Sequence, residues 1–259
     1  MTTPSPIWHP QRTRPLDHLP TAKIVKRQDF TRDLFLLWLE TETPFTFKPG
    51  QYITIGARGL ERPYSIASAP YEPLVEVFIE YVLPEYGGQL TPILWAQHAG
   101  DVVSIRPKAK GVFTFERKYR DHIMAGTVTG MAPYVSMIRQ YLHDGDSGHR
   151  FFFMEGASHQ DEFIYDKELA ALAERHPEWI TFIPTVSRPT EKRNATWKGR
   201  TGRVNALVEE HLEMWGLSKD DTLVYACGHP GMIEDIKHRL APQGWRVKEE
   251  RFWKEEGKE

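Results

Sequence analysis

His122-Ile123-Met124-Ala125-Gly126-Thr127-Val128 is an apolar run of the kind that lies buried inside a sheet, and Pro133 to Leu142, close behind it, reads as a helix. The same alternation continues to the C-terminus. Phe151-Phe152-Phe153-Met154 is a strand and Glu162 to Arg175 a helix; Trp179-Ile180-Thr181-Phe182-Ile183 is a strand and Gly202 to Leu212 a helix. Thr222-Leu223-Val224-Tyr225-Ala226 precedes a helix from Gly231 to Leu240, and a strand around Trp245 to Glu249 closes the series. Strands and helices in strict alternation predict a parallel, doubly wound sheet that binds ligands at the carboxyl ends of its strands.

Upstream the period is different. From Thr21 to about Phe115, short strands are separated by turn residues: Asp33 to Leu39, Gln51 to Ile55, Leu74 to Val82 and Val102 to Ile105, punctuated by Pro49-Gly50, Pro70 and Gly100-Asp101. Many short strands at this spacing predict a closed antiparallel barrel. One helical piece, Pro92 to His98, begins with a hydroxyl cap at Thr91 and a proline at its first position. The expected fold is therefore an antiparallel β-barrel followed by an α/β doubly wound parallel-sheet domain. The boundary falls near Arg117 to Arg120, giving residues 20–118 and 119–259, with residues 1–19 as an N-terminal extension.

The chain has 259 residues, enough for two domains each with its own core. Hydrophobic residues make up 40% and charged ones 26%, in the range of soluble globular proteins. No apolar run approaches the roughly 20 residues that span a bilayer, and the first twenty residues lack a signal-peptide core. A single cysteine permits neither an intramolecular disulfide nor a cysteine-ligated iron–sulfur cluster. A reducing, cytoplasmic setting, a monomer or weak dimer, and neither nucleic-acid binding nor membrane insertion are expected.

Arg62-Pro63-Tyr64-Ser65 carries the most chemistry. In an extended strand Arg62 and Tyr64 share one face and Ser65 takes the other. A guanidinium matches a phosphate, a phenol ring lies against a planar cofactor, and a hydroxyl donates to a ring nitrogen, a combination that suits a flavin nucleotide. An edge strand with an exposed Arg, a packed Tyr and a turn-forming Ser would carry the same four residues. The rest of the chain gives the tetrapeptide its weight.

Four further motifs follow it in order: Gly87-Gly88-Gln89-Leu90-Thr91, Thr129-Gly130-Met131-Ala132-Pro133, Val186-Ser187-Arg188 and Cys227-Gly228-His229-Pro230-Gly231-Met232. From about Leu19 onward the chain resembles the ferredoxin–NADP reductase family of flavoenzymes. The resemblance implies that Arg62, Pro63, Tyr64 and Ser65 hold FAD, with Arg62 on the pyrophosphate, Tyr64 along the ring or ribityl chain and Ser65 near flavin N5. It places Gly87, Gly88, Gln89, Leu90 and Thr91 at the phosphates, where glycine N–H groups and a helix N-terminus attract anions. Glu250-Arg251-Phe252-Trp253 resembles the ending of bacterial members, in which Phe252 covers the isoalloxazine and Trp253 lies near the adenine. An apolar pair docking the last strand is the alternative, and this chain continues through Lys254 to Glu259.

For NADP(H), the resemblance implies Thr129, Gly130, Ala132 and Pro133 at one strand-to-helix handover and Cys227, Gly228, Pro230 and Met232 at the next. The first lacks the full G-x-G-x-x-G fingerprint, with Val128 where the family often has Gly. Cys227 would sit beside the nicotinamide C4 as a positioning group, since hydride transfer needs no thiolate; a lone Cys is otherwise buried packing. Ser187, Arg188 and Arg200 would meet a 2′-phosphate, which favours NADP over NAD. Ser65, Cys227 and Phe252 are the implied catalytic residues, with no metal.

The implied activity is hydride exchange between NADP(H) and FAD, with single electrons passed to ferredoxin or flavodoxin. Alternatives are an NAD(P)H-dependent flavin reductase or oxygenase reductase component, and a non-catalytic nucleotide-binding module on the same fold. Arg106, Lys108, Lys110, Arg117, Lys118 and Arg120 form a basic stretch that would steer an acidic carrier, or else a solvated face.

Overall fold

The computed structural model describes residues 18–251. The first half contains β1 (Thr21–Asp29), β2 (Leu34–Thr41), β3 (Tyr52–Ala57), β4 (Leu60–Ser65), β5 (Val75–Glu80), α1 (Thr91–Trp95) and β6 (Val102–Ile105). The second contains β7 (Asp121–Thr127), α2 (Ala132–His143), β8 (Arg150–Ala157), α3 (Asp166–Arg175), β9 (Ile180–Val186), β10 (Arg200–Thr201), α4 (Val204–Met214), β11 (Thr222–Gly228), α5 (Pro230–Leu240) and β12 (Arg246–Arg251).

β1 to β6 form an antiparallel sheet in the order β4-β3-β6-β1-β2-β5. Its two edges meet through an Ile66–Val77 bridge and an Ala67 N–H that donates to the Glu76 carbonyl at 2.8 Å. Inward residues at alternate positions, among them Phe35, Leu37, Leu39, Ile53, Ile55, Val77 and Ile79, fill the interior. β1 carries Lys23, Lys26 and Arg27 between its apolar positions, which is why no apolar run marks it in the sequence.

β7 to β12 form an all-parallel sheet in the order β10-β9-β8-β7-β11-β12. Successive residues of one strand feed opposite cores. Met124, Phe151, Phe153 and Tyr225 pack against α2 and α3, whereas Ile123, Phe152, Met154 and Val224 pack against α4 and α5. Covering both faces is what the unbroken apolar strands require. Leu34, Leu36, Ala67 and Phe78 of the first half join the α2/α3 core, so the two halves share buried surface.

Among the helices, two depart most from the bounds the sequence predicts. α1 stops at Trp95 instead of His98, because the His98 N–H is taken by the Asp101 carboxylate at 2.7 Å. Thr91 does not cap it: its hydroxyl accepts from the Val82 N–H at 3.0 Å and donates to the Val82 carbonyl at 3.2 Å. α3 starts at Asp166 instead of Glu162, whose carboxylate accepts the Ser158 and His159 N–H groups and closes a separate short turn.

The seam between the halves contains a buried ionic cluster. Glu76 on β5 is 4% exposed and accepts from Trp38 Nε1 (3.2 Å), Arg139 Nη1 (3.0 Å) and Tyr165 Oη (2.7 Å). Arg139 on α2 also donates to Glu168 at 2.8 and 2.7 Å and lies 3.6 Å from Glu72. With its lone pairs met by donors from both halves, a buried carboxylate is tolerated.

Candidate functional site

In the parallel sheet the chain runs outward from β7 to β10, then returns to place β11 on the other side of β7. That reversal opens a crevice at the carboxyl ends of β7 and β11. The two loops there touch backbone to backbone. A Cβ on Gly130 would overlap the Cys227 carbonyl, and one on Gly228 would overlap Thr127 Oγ1, so only glycine fits at either position. Thr127 Oγ1 accepts the His229 N–H at 2.8 Å, and His229 Nδ1 accepts from Gly231 N at 3.0 Å to cap α5. Val128 pays for the tight exit from β7: its φ of 47° is a left-handed conformation that a β-branched residue rarely adopts.

A cavity of about 670 Å³ opens from this crevice. Thr127, Val128 and Thr129 line one part of it, and Gly228, His229, Gly231 and Met232 at the start of α5 line another. Ser187, Arg188, Arg203 and Asn205 line a third part, and Asp33, Glu80 and Glu162 supply an acidic wall. Helix N-terminal N–H groups and arginines together suit an anion-bearing nucleotide.

Of the residues predicted for the nicotinamide nucleotide, Thr129, Ser187, Arg188, Gly228 and Met232 line this cavity. Gly130, Ala132, Pro133, Cys227 and Pro230 are buried and do not line it. Arg200 does not line it; it lies on the two-residue edge strand β10. Arg203, three residues on at the N-cap of α4, takes the place at the cavity. Its position between an edge strand and a helix start is the sequence signal that marks it.

On the other side, β4 places Arg62 at the surface, where Nη2 donates to Gln89 Oε1 at 2.7 Å and joins the tetrapeptide to the Gly-Gly loop. The Tyr64 hydroxyl is buried with no hydrogen-bond partner among the described residues, and burial pushes its pKa up. An unpartnered buried phenol beside an exposed guanidinium fits a planar, phosphate-bearing group. The Gly87–Thr91 stretch is partly occupied by the fold itself. Leu90 packs into the barrel core, a Cβ on Gly88 would overlap the Val82 carbonyl, and Thr91 is tied to Val82. Gly87, with φ of 85° and open space around it, and Gln89 remain outward.

The two sides meet at a residue the sequence reading leaves without a role. Glu250 on β12 pairs in register with Cys227 on β11, and its Oε2 accepts from Ser65 Oγ at 3.3 Å across 185 positions of chain. Burial pushes the Glu250 carboxyl up to about 7, against the opposing pull of the Ser65 hydrogen bond and the Lys248 charge. Cys227 is fully buried, and burial together with the Glu250 charge drives its thiol well above the ordinary range. It is held as an uncharged group, consistent with packing or positioning and not with nucleophilic attack. Phe252 and Trp253 lie outside the described residues, as does most of the N-terminal extension.

Half of the basic stretch is paired. Arg106 pairs with Glu61, Arg117 with Asp146 and Arg120 with Asp121. Lys108, Lys110 and Lys118 have no ion pair among the described residues. No helix among them is long and apolar enough to cross a membrane.

Residues 123–238 match the family model of the oxidoreductase NAD-binding domain. The flavodoxin/ferredoxin–NADP reductase of Escherichia coli is 29% identical over 228 residues, covering 84% of this chain and 88% of that one. The reductase component of the naphthalene 1,2-dioxygenase system of Pseudomonas putida is 28% identical over 234 residues, covering 89% of this chain and 65% of its own length. Among solved structures, a ferredoxin NADP+ reductase from Neisseria gonorrhoeae with bound FAD and NADP superposes with a TM-score of 0.77 at 23% identity, covering 90% and 98%. The chain is thus similar in sequence to flavodoxin/ferredoxin–NADP reductases along most of its length, carries an oxidoreductase NAD-binding domain, and shares the fold of a ferredoxin NADP+ reductase.

Proposed function

We propose that this protein is an FAD-dependent oxidoreductase that exchanges hydride with NADP(H) and passes single electrons to a ferredoxin or flavodoxin. The observation that carries the reading is the convergence on Glu250 of Ser65 from the first half and Cys227 from the second, beside a nucleotide-sized crevice. When bound, the flavin supplies the conversion between two-electron and one-electron chemistry. Residues 20–118 form the flavin domain in this reading and residues 119–259 the nucleotide domain.

Arg62 holds a phosphate of the dinucleotide and Tyr64 presents its unpartnered hydroxyl to the cofactor. Ser65 Oγ and Glu250 Oε2 form a path along which a proton moves, with Glu250 able to hold that proton near neutrality. The buried, uncharged Cys227 fixes the spacing of the reacting groups. Thr129 and the α5 N-terminus would hold the nucleotide diphosphate and Arg188 and Arg203 the 2′-phosphate; Phe252, over the isoalloxazine, and Trp253, near the adenine, keep the roles the family resemblance implies. A reducing, cytoplasmic compartment suits the single free thiol.

A visible absorption spectrum of the purified protein tests the flavin directly: a yellow protein is expected, and a colourless one overturns the reading. Arg62→Ala should weaken flavin retention about 10- to 100-fold, by loss of a charge-assisted contact. Full occupancy after extensive dialysis would remove Arg62 from the phosphate. The Pseudomonas relative favours a second reading, a reductase component of an oxygenase system. With one cysteine in the sequence, such a component would need an external one-electron carrier. Cytochrome c reduction with added ferredoxin and flavodoxin, run with NADPH and NADH in parallel, separates the two.

A further inference from the structure

The wall of the cavity that carries Arg188 supplies its own counter-charges. Arg188 Nη1 lies 3.5 Å from Glu191 Oε1. The other oxygen of the same carboxylate lies 2.7 Å from His159 Nε2, and His159 Nδ1 lies 2.8 Å from Glu162 Oε1. Ionised carboxylates only accept, so with one on each nitrogen both ring nitrogens donate and His159 is an imidazolium. Burial alone would lower its pKa, and the hydrogen bonds it donates to Glu191 and Glu162 reverse the direction and raise it. The His159 side chain is 7% exposed, so Glu191 is anchored to a fixed post. The neighbouring Arg193 pairs with Asp161 at 3.1 and 2.7 Å and lies 3.5 Å from the same Glu162 Oε1, and it does not reach Glu191.

We propose that Glu191 is a specificity-determining residue: an anchored anionic competitor that occupies Arg188 and weakens recognition of a nucleotide 2′-phosphate. The inference rests on the reading of Arg188 as a 2′-phosphate contact. A phosphate arriving at Arg188 must displace Glu191 or sit beside its charge, and His159 keeps the carboxylate from swinging away. NADH, which has no 2′-phosphate, meets no such competition. The pair therefore narrows the preference for NADPH over NADH without touching the reacting groups.

Calorimetric titration with adenosine 2′,5′-bisphosphate and with 5′-AMP tests this without turnover. Glu191→Gln should tighten the bisphosphate by on the order of threefold to tenfold and leave 5′-AMP unchanged, as expected for release of an exposed ion pair and loss of a like charge. Adding Arg188→Ala to Glu191→Gln should abolish the gain. In steady state, Glu191→Gln should lower the KM for NADPH while leaving kcat and the KM for NADH alone. If Arg188→Ala selectively weakens the bisphosphate but Glu191→Gln does not tighten it, the competitor role is wrong and the role of Arg188 survives. Weaker binding of 5′-AMP by Glu191→Gln would instead make Glu191 a ribose contact and overturn the proposal. If Arg188→Ala weakens both ligands equally, the underlying reading of Arg188 fails and the proposal falls with it.

Discussion

Two carboxylates sit where the halves of this molecule meet, and they are treated in opposite ways. Glu76 is almost wholly buried and receives a tryptophan N–H, a guanidinium and a tyrosine hydroxyl. Glu250 is half-buried and receives one hydroxyl at 3.3 Å, and burial lifts its carboxyl to about 7. Full satisfaction makes a carboxylate part of the scaffold, because any change leaves buried partners unpaired. Incomplete satisfaction leaves a group that exchanges a proton near neutral pH, the state that acid–base chemistry needs. The first carboxylate ties the halves together, and the second is the one for which we propose a part in the chemistry.

Removal of each group tests the contrast. Glu76→Ala should cost about 3–5 kcal/mol of stability, since it removes the acceptor shared by Trp38, Arg139 and Tyr165 and leaves the buried Tyr165 hydroxyl without that partner. Denaturant unfolding measures it, and a loss under about 1 kcal/mol would mean that Glu76 is dispensable to the seam. Glu250→Gln should do the reverse, slowing flavin reduction by NADPH on the order of 100-fold in stopped flow while the protein stays folded. An unchanged rate would return Glu250 to a structural role.

The pH dependence of stability sharpens the comparison further. The folded pKa of Glu250, about 7, lies above its ordinary value of 4.5, so its contribution is fully present below 4.5 and is lost as pH rises through 7. Across that window the wild type should lose stability relative to Glu250→Gln by up to about 1.4 kcal/mol per pH unit. Parallel curves for the two proteins would place the Glu250 pKa at its ordinary value. Ser65→Ala should have the smallest effect, about fivefold on flavin reduction, for loss of one hydrogen bond. It should also move the Glu250 titration upward, because that bond favours the ionised form.

Much of the fold is legible from local pattern. Runs such as Phe151-Phe152-Phe153-Met154 mark strands covered on both faces, and the punctuated short strands before them mark the barrel. Elements ended elsewhere where a side chain captured backbone groups, as Glu162 and Asp101 do, since such bonds leave no periodic trace. The candidate site was read unevenly for a similar reason. Arg62, Tyr64, Ser65, Ser187 and Arg188 belong to distinctive short motifs, whereas Arg203 is one cation among several in its loop.

Glu76 and Glu250 mark where local reading stops. The sequence analysis places Glu76 within the strand Leu74 to Val82 and Glu250 just past the strand around Trp245 to Glu249, and gives neither a role. The sequence by itself determined the element order, the two kinds of sheet and the glycines at the crevice, because each follows from residue types within a few positions. Only the tertiary structure decided which carboxylate became fully satisfied and which was left with a raised pKa. α2 and α3 bring Arg139 and Tyr165 to Glu76, and β12 carries Glu250 to Ser65 from 185 residues away. Burial and partner count, which set a carboxyl's protonation, exist only once those distant segments have packed.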